Sequence, residues 1–101
     1  MQTRARIDIP VEALTELCRR YHVLELSLFG SILRDDFRED SEIDILVEYE
    51  PDARVGLYEH FDLRRALEDL LGRSVDLVSK NGLHHLLRDS VLATSAVIYA
   101  A

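Results

Sequence analysis

Seven residues, Ser41-Glu42-Ile43-Asp44-Ile45-Leu46-Val47, constrain this chain more than any other stretch. Side chains of an extended segment alternate faces with a period of two. Ile43, Ile45 and Val47 therefore share one face, and Glu42, Asp44 and Leu46 share the other. A slip of one residue would expose three β-branched side chains and bury two acids, so the segment reads as a strand held in one register. Asp44 lies beside the core that such a strand needs. An uncompensated carboxylate is costly there, and a bound cation would offset that cost. An edge strand with solvent-facing acids is the plainer alternative.

The flanking sequence supplies helices and further strands. An apolar stripe of Val11, Leu14, Cys18 and Tyr21 predicts a helix from Pro10 to about His22. Val23 to Phe29 reads as a strand that ends at Gly30, and Ser31 to about Phe37 as a short helix. The second strand, Ile43 to Tyr49, gives way to a turn at Glu50-Pro51-Asp52, since proline lacks a ladder donor. Leu63, Ala66, Leu67 and Leu70 share one face of a helix from Gly56 to Leu71, and Gly72 stands where a left-handed stop belongs. A third strand over Ser74–Val78, a turn at Asn81-Gly82, a helix over Leu83–Ala93 and a terminal strand over Ala96–Tyr99 complete the series. Helices alternating with short strands define an α/β (α+β) domain, one unit over residues 1–101.

Charge narrows the function. The formal net charge is −7, with one lysine, Lys80, and eleven arginines. Proteins that track a nucleic-acid backbone neutralise phosphates with Lys and Arg, so this balance argues against direct nucleic-acid binding. Between Asp35 and Asp52 nine acids face one base, Arg38, a density that forms a solvated loop or suits a cation. Cys18 is the single cysteine; it excludes a disulfide framework and reads as a small core residue. No apolar run reaches the roughly 18 residues of a membrane span and no apolar leader follows the first residues, so a soluble, cytoplasmic protein is expected. The four histidines are expected at the surface or at helix ends, and Tyr21, Tyr49, Tyr58 and Tyr99 in core or edge packing.

Three further features point to a site. Asp76 interrupts Ser-Val-Asp-Leu-Val, a strand-like run in which Asp is disfavoured. It is either a hydrogen-bonded structural residue or, on a neighbouring strand, a third acid beside Glu42 and Asp44. Three carboxylates can hold two Mg²⁺ ions about 4 Å apart, the arrangement that stabilises attacking and leaving oxygens in an in-line displacement. Gly30-Ser31 at a strand-to-helix turn offers backbone N–H groups and the Ser31 hydroxyl to phosphate. Arg34, one turn on, reaches phosphate or pairs with the acidic loop.

Gly30-Ser31-Ile-Leu-Arg34, then Asp40-Ser41-Glu42-Ile43-Asp44-Ile-Leu-Val47, then Gly72-Arg-Ser-Val-Asp76-Leu-Val resemble the minimal nucleotidyltransferases of the polymerase-β superfamily, from about Leu24 to the C-terminus. The resemblance implies a palm-like fold with a small mixed sheet and helices packed against it. It also implies Mg²⁺, ATP as the nucleoside triphosphate, and transfer of AMP to a hydroxyl. Small members of this family are antitoxins encoded beside a HEPN-domain toxin, whose tyrosine they modify. Glu42, Asp44 and Asp76 would then be catalytic and hold the metal, and Gly30, Ser31 and Arg34 would bind the nucleotide.

Two departures from the family pattern stand out. Glu42 replaces the usual Asp, which moves its carboxylate outward by on the order of 1.5 Å, and a misplacement of about 1 Å can cost a hundredfold in rate. Asp35 stands where Gly is common and adds negative charge near the triphosphate. An antitoxin that neutralises its partner by binding alone is therefore the alternative function. Transfer to a small molecule is a third, disfavoured because the short chain has little beyond its core to build an acceptor pocket.

Overall fold

The computed structural model describes residues 8–33, 38, 41–83 and 85–101, with the side chains of residues 31 and 85–88 outside that description. The apolar faces read above become a sheet and the helices that cover it. Four strands, β1 (Val23–Phe29), β2 (Ile43–Tyr49), β3 (Val75–Ser79) and β4 (Ala96–Ala100), lie in the order β3-β2-β1-β4. β1 pairs antiparallel with β2 and with β4, whereas β2 and β3 are parallel. A parallel pair needs a crossover, and the helix α2 (Leu57–Leu71) provides it. The sheet is mixed, as expected of a palm-like domain.

α1 (Val11–Arg20) and α2 touch each other and rest on the sheet. Leu14 and Cys18 of α1 and Leu63 and Leu67 of α2 meet Leu26, Leu28, Ile43, Ile45, Val47, Val75 and Leu77 of the strands, all of them buried. Each large aliphatic side chain removed from water stabilises the fold by roughly 2 kcal/mol before entropy is counted. The β2 register therefore holds for the reason its alternation implies: Ile43, Ile45 and Val47 are all 0% exposed.

Chain geometry sets the helix ends. α1 stops two residues before the predicted end, because His22 takes a left-handed φ of 58° and its carbonyl accepts the Glu50 N–H at 2.8 Å. Pro10 occupies the position before the helix, where its carbonyl receives the Leu14 N–H at 2.9 Å. α2 starts one residue after Gly56, whose N–H donates to the Glu59 carboxylate at 2.9 Å. It ends at Gly72 with φ 67°, as predicted. The turn at Asn81-Gly82 is a short 3-10 helix over Lys80–Gly82, followed by α3 (His85–Thr94). No helix among the described residues is long and apolar enough to cross a membrane.

Two expectations are corrected. Tyr58 is 86% exposed on the outer side of α2 and packs against nothing in the core, while Tyr21, Tyr49 and Tyr99 do pack there. His60 is half-buried rather than superficial. Its Nε2 lies 3.0 Å from the Leu77 carbonyl and its Nδ1 2.8 Å from the Tyr49 hydroxyl. A carbonyl only accepts, so Nε2 carries the proton and Nδ1 accepts from Tyr49.

Candidate functional site

β1 leads into a 3-10 turn over Gly30–Leu33, and this turn stands beside the acids. Phe29 at the end of β1 pairs with Asp44 in β2, and Asp44 pairs with Asp76 in β3. Residues paired across strands project on the same face, so Asp44 and Asp76 stand side by side, one strand spacing of about 4.8 Å apart. Sequence could place each acid on a strand; the parallel register aligns them.

Gly30 has φ 73° and lies directly against Asp44. A Cβ there would collide with Oδ2 of Asp44 and come within 3.1 Å of its Cγ. The missing side chain lets the Asp44 carboxylate rest on bare backbone. Asp44 is partly buried and Glu42 exposed, immediately before β2. Asp76 is exposed as well, so the cost of burial does not explain it. Its neighbours Val75 and Leu77 turn inward and direct it to the opposite, solvent-facing side. The turn after Gly30 is 3-10 rather than α-helical as far as Leu33. Arg34, the second half of that predicted helix and the Ser31 side chain lie outside the described residues.

The ends of β2 and β3 that carry the acids are tied together. Ile43 N–H donates to the Ser74 carbonyl at 2.9 Å, while Val75 N–H ties β3 to α2 by donating to the Glu68 carboxylate at 3.0 Å. Arg73 reaches across to the turn before Glu42, where its Nη2 donates to the carbonyls of Arg38 and Ser41. Sequence reading missed Arg73. A cation directly between the helix-stopping glycine and the acid-bearing strand was the available signal.

Among the described residues no three His, Cys, Asp or Glu side chains are already gathered as a metal site. The donor chemistry nevertheless suits Mg²⁺. Asp44 and Asp76 share a face, Glu42 is exposed two residues before Asp44, and all three offer hard oxygen ligands. The Gly30 cradle that accommodates the Asp44 carboxylate is the structural feature behind that fit.

A separate cavity of about 560 Å³ opens at the other end of β2 and β3, lined by Tyr49, His60, Lys80 and Asn81 among others. Lys80 Nζ pairs there with Glu48 at 3.3 Å. Burial, and secondarily the Glu59 carboxylate, push the Tyr49 hydroxyl up to about 12, so it remains a proton donor to His60. Glu42, Asp44 and Asp76 do not line this cavity.

The model of the nucleotidyltransferase domain matches residues 11–98. The chain belongs to the nucleotidyltransferase domain family. This nucleotidyltransferase is 42% identical over 77 residues to protein adenylyltransferase MntA of Thermococcus cleftensis, covering 76% of each chain. It is similar to a solved structure of a candidate minimal nucleotidyltransferase, with a TM-score of 0.71 and 42% identity over 84% of this chain and 85% of that one. Its fold is also that of a chain in the complex of tri-AMPylated Shewanella oneidensis HEPN toxin with MNT antitoxin. There the TM-score is 0.64 at 20% identity, over 90% of this chain and 70% of the other. The mixed sheet is thus that of the nucleotidyltransferase fold.

Proposed function

We propose that this nucleotidyltransferase moves AMP from ATP to a tyrosine hydroxyl of a HEPN-type toxin encoded nearby, and that it is a cytoplasmic antitoxin. The observation that carries the reading is the row formed by the Gly30 turn, Asp44 and Asp76 across three strands. The relatives named as protein adenylyltransferase and the AMPylated HEPN toxin support the choice of group and acceptor.

In this reading the acceptor oxygen attacks the α-phosphorus, the bond to the bridging oxygen of the β-phosphate breaks, and pyrophosphate leaves. Backbone N–H groups of the Gly30–Ser31 turn, with the Ser31 hydroxyl and Arg34, hold the leaving phosphates. Glu42, Asp44 and Asp76 would hold Mg²⁺, up to two ions. Bound there, Mg²⁺ supplies charge neutralisation on the phosphates and lowers the pKa of the acceptor hydroxyl. Asp76, the exposed acid of the aligned pair, would assist departure of the hydroxyl proton of the acceptor. Asp44, held against Gly30, fixes the nucleotide end.

Intact-mass measurement of the partner after incubation with this chain, ATP and Mg²⁺ tests the reading. The expected result is a mass gain of one or more AMP groups with the wild type and none with Asp44→Ala. An unmodified partner with the wild type would overturn it. The exposed Glu42, one methylene longer than the family's Asp and outside the β2 ladder, favours a second reading in which the antitoxin acts by occlusion. Under that reading Asp44→Ala neutralises the toxin as well as the wild type does, and Glu42→Asp raises transfer steeply.

A further inference from the structure

Glu42 precedes β2, so the strand ladder does not by itself fix its backbone. The turn before it does. Ser41 N–H donates to the Arg38 carbonyl and Arg38 N–H donates to Ser41 Oγ, each at 3.1 Å. Onto this turn Arg73 brings one nitrogen with two N–H groups. Nη2 donates to the Arg38 carbonyl and, at 3.1 Å, to the Ser41 carbonyl. Ser41 is the residue bonded to Glu42. Arg73 itself sits one residue after Gly72 and two before β3, on the segment that leads into the strand carrying Asp76. The guanidinium therefore joins the backbone that presents Glu42 to the backbone that presents Asp76. Ile43 N–H on the Ser74 carbonyl repeats the link on the other side of Glu42.

We propose that Arg73 is a positioning residue: by holding the Arg38 and Ser41 carbonyls it fixes the backbone from which Glu42 extends, so that the longer carboxylate is able to turn onto a divalent cation bound by Asp44 and Asp76. This rests on the assignment of those three acids to the cation. A turn within a run of nine acids and one base would otherwise be pushed outward by like-charge repulsion, and a cation fixed at its base opposes that. Arg suits the task because its planar fork is held on a long stem and keeps its charge at any working pH.

Two variants and two readouts test this. Arg73→Met keeps an apolar stem and removes the donors, whereas Arg73→Lys keeps the charge and the donors on a shorter reach. In the metal-free protein, the Ser41 and Ile43 amides of Arg73→Met are expected to exchange about tenfold faster, in line with the loss of one net hydrogen bond. The β1 amides stay unchanged, and Arg73→Lys falls between. In Mg²⁺ titrations of ATP binding and AMP transfer, the half-saturating Mg²⁺ rises about tenfold in Arg73→Met and recovers in Arg73→Lys. Transfer at saturating Mg²⁺ stays near that of the wild type, whereas a merely structural role would lower the active fraction and leave the half-saturation point in place.

Wild-type exchange at Ser41 and Ile43 in Arg73→Met overturns the clamp, and an unmoved Mg²⁺ requirement overturns its link to Glu42. If Arg73→Met exchanges fast throughout the sheet it has unfolded, and Arg73→Lys decides on the same two readouts. If the wild type takes up no ATP at any Mg²⁺ concentration, the functional reading fails separately, and exchange still decides whether Arg73 fixes the turn.

Discussion

A methyl group at Gly30 would meet two penalties at once. The backbone φ of 73° costs an L-residue about 1 kcal/mol, and the added carbon would displace the Asp44 carboxylate. Gly30→Ala is therefore expected to lose about a hundredfold in transfer rate while remaining folded, a separation that parallel rate and melting measurements would reveal. Retained activity would remove Asp44 from the site. Cys18 gives a different residue-scale prediction. It is fully buried, and burial pushes its thiol from an ordinary 9.0 up to about 12. The unfolded chain releases that proton nearer 9, so stability is complete below pH 9 and falls as pH rises toward 12. Denaturant titrations across that window should show the fall, with a smaller slope in Cys18→Ala. A thiol reagent should leave the native protein unmodified at neutral pH.

Elements here are set by short local rules, and their ends carry the exceptions. Gly72 closes α2 in the left-handed region, with nothing within 4 Å of a Cβ built there. Strain is thus the sole penalty for a side chain at that point. Gly72→Ala should cost about 1 kcal/mol, a fall in melting temperature of about 5 °C, with the fold intact. A variant as stable as the wild type would mean that α2 can end differently. β1 and β2 were legible residue for residue, because alternation leaves one register that buries Ile43, Ile45 and Val47. The end of α1 was not. His22 takes a positive φ to bring its carbonyl to Glu50, a contact between distant residues. His60 was missed for the same reason: its partners, Tyr49 and Leu77, belong to two different strands.

For the whole molecule, the proposed function couples ligand and stability. At a concentration a hundred times its Kd, ATP with Mg²⁺ should stabilise the native state by about 2.7 kcal/mol, a rise on the order of 10 °C in melting temperature. ATP with a chelator should give much less, and no rise with Mg²⁺ present would count against nucleotide binding. By itself the sequence determined the alternating strands, the apolar faces of α1 and α2, the stop at Gly72, and which residues are chemically suited to phosphate and cation. These follow from side-chain periodicity and backbone freedom, which are local. Tertiary structure alone decided that Asp44 and Asp76 are register partners, that Gly30 cradles Asp44, that Asp76 faces solvent, and that Arg73 grips the turn before Glu42. The Gly30 contact depends on the antiparallel register of β1 with β2, and the Asp76 and Arg73 placements on how the crossover through α2 aligns β3 with β2; no local pattern encodes the alignment of segments so far apart in the chain.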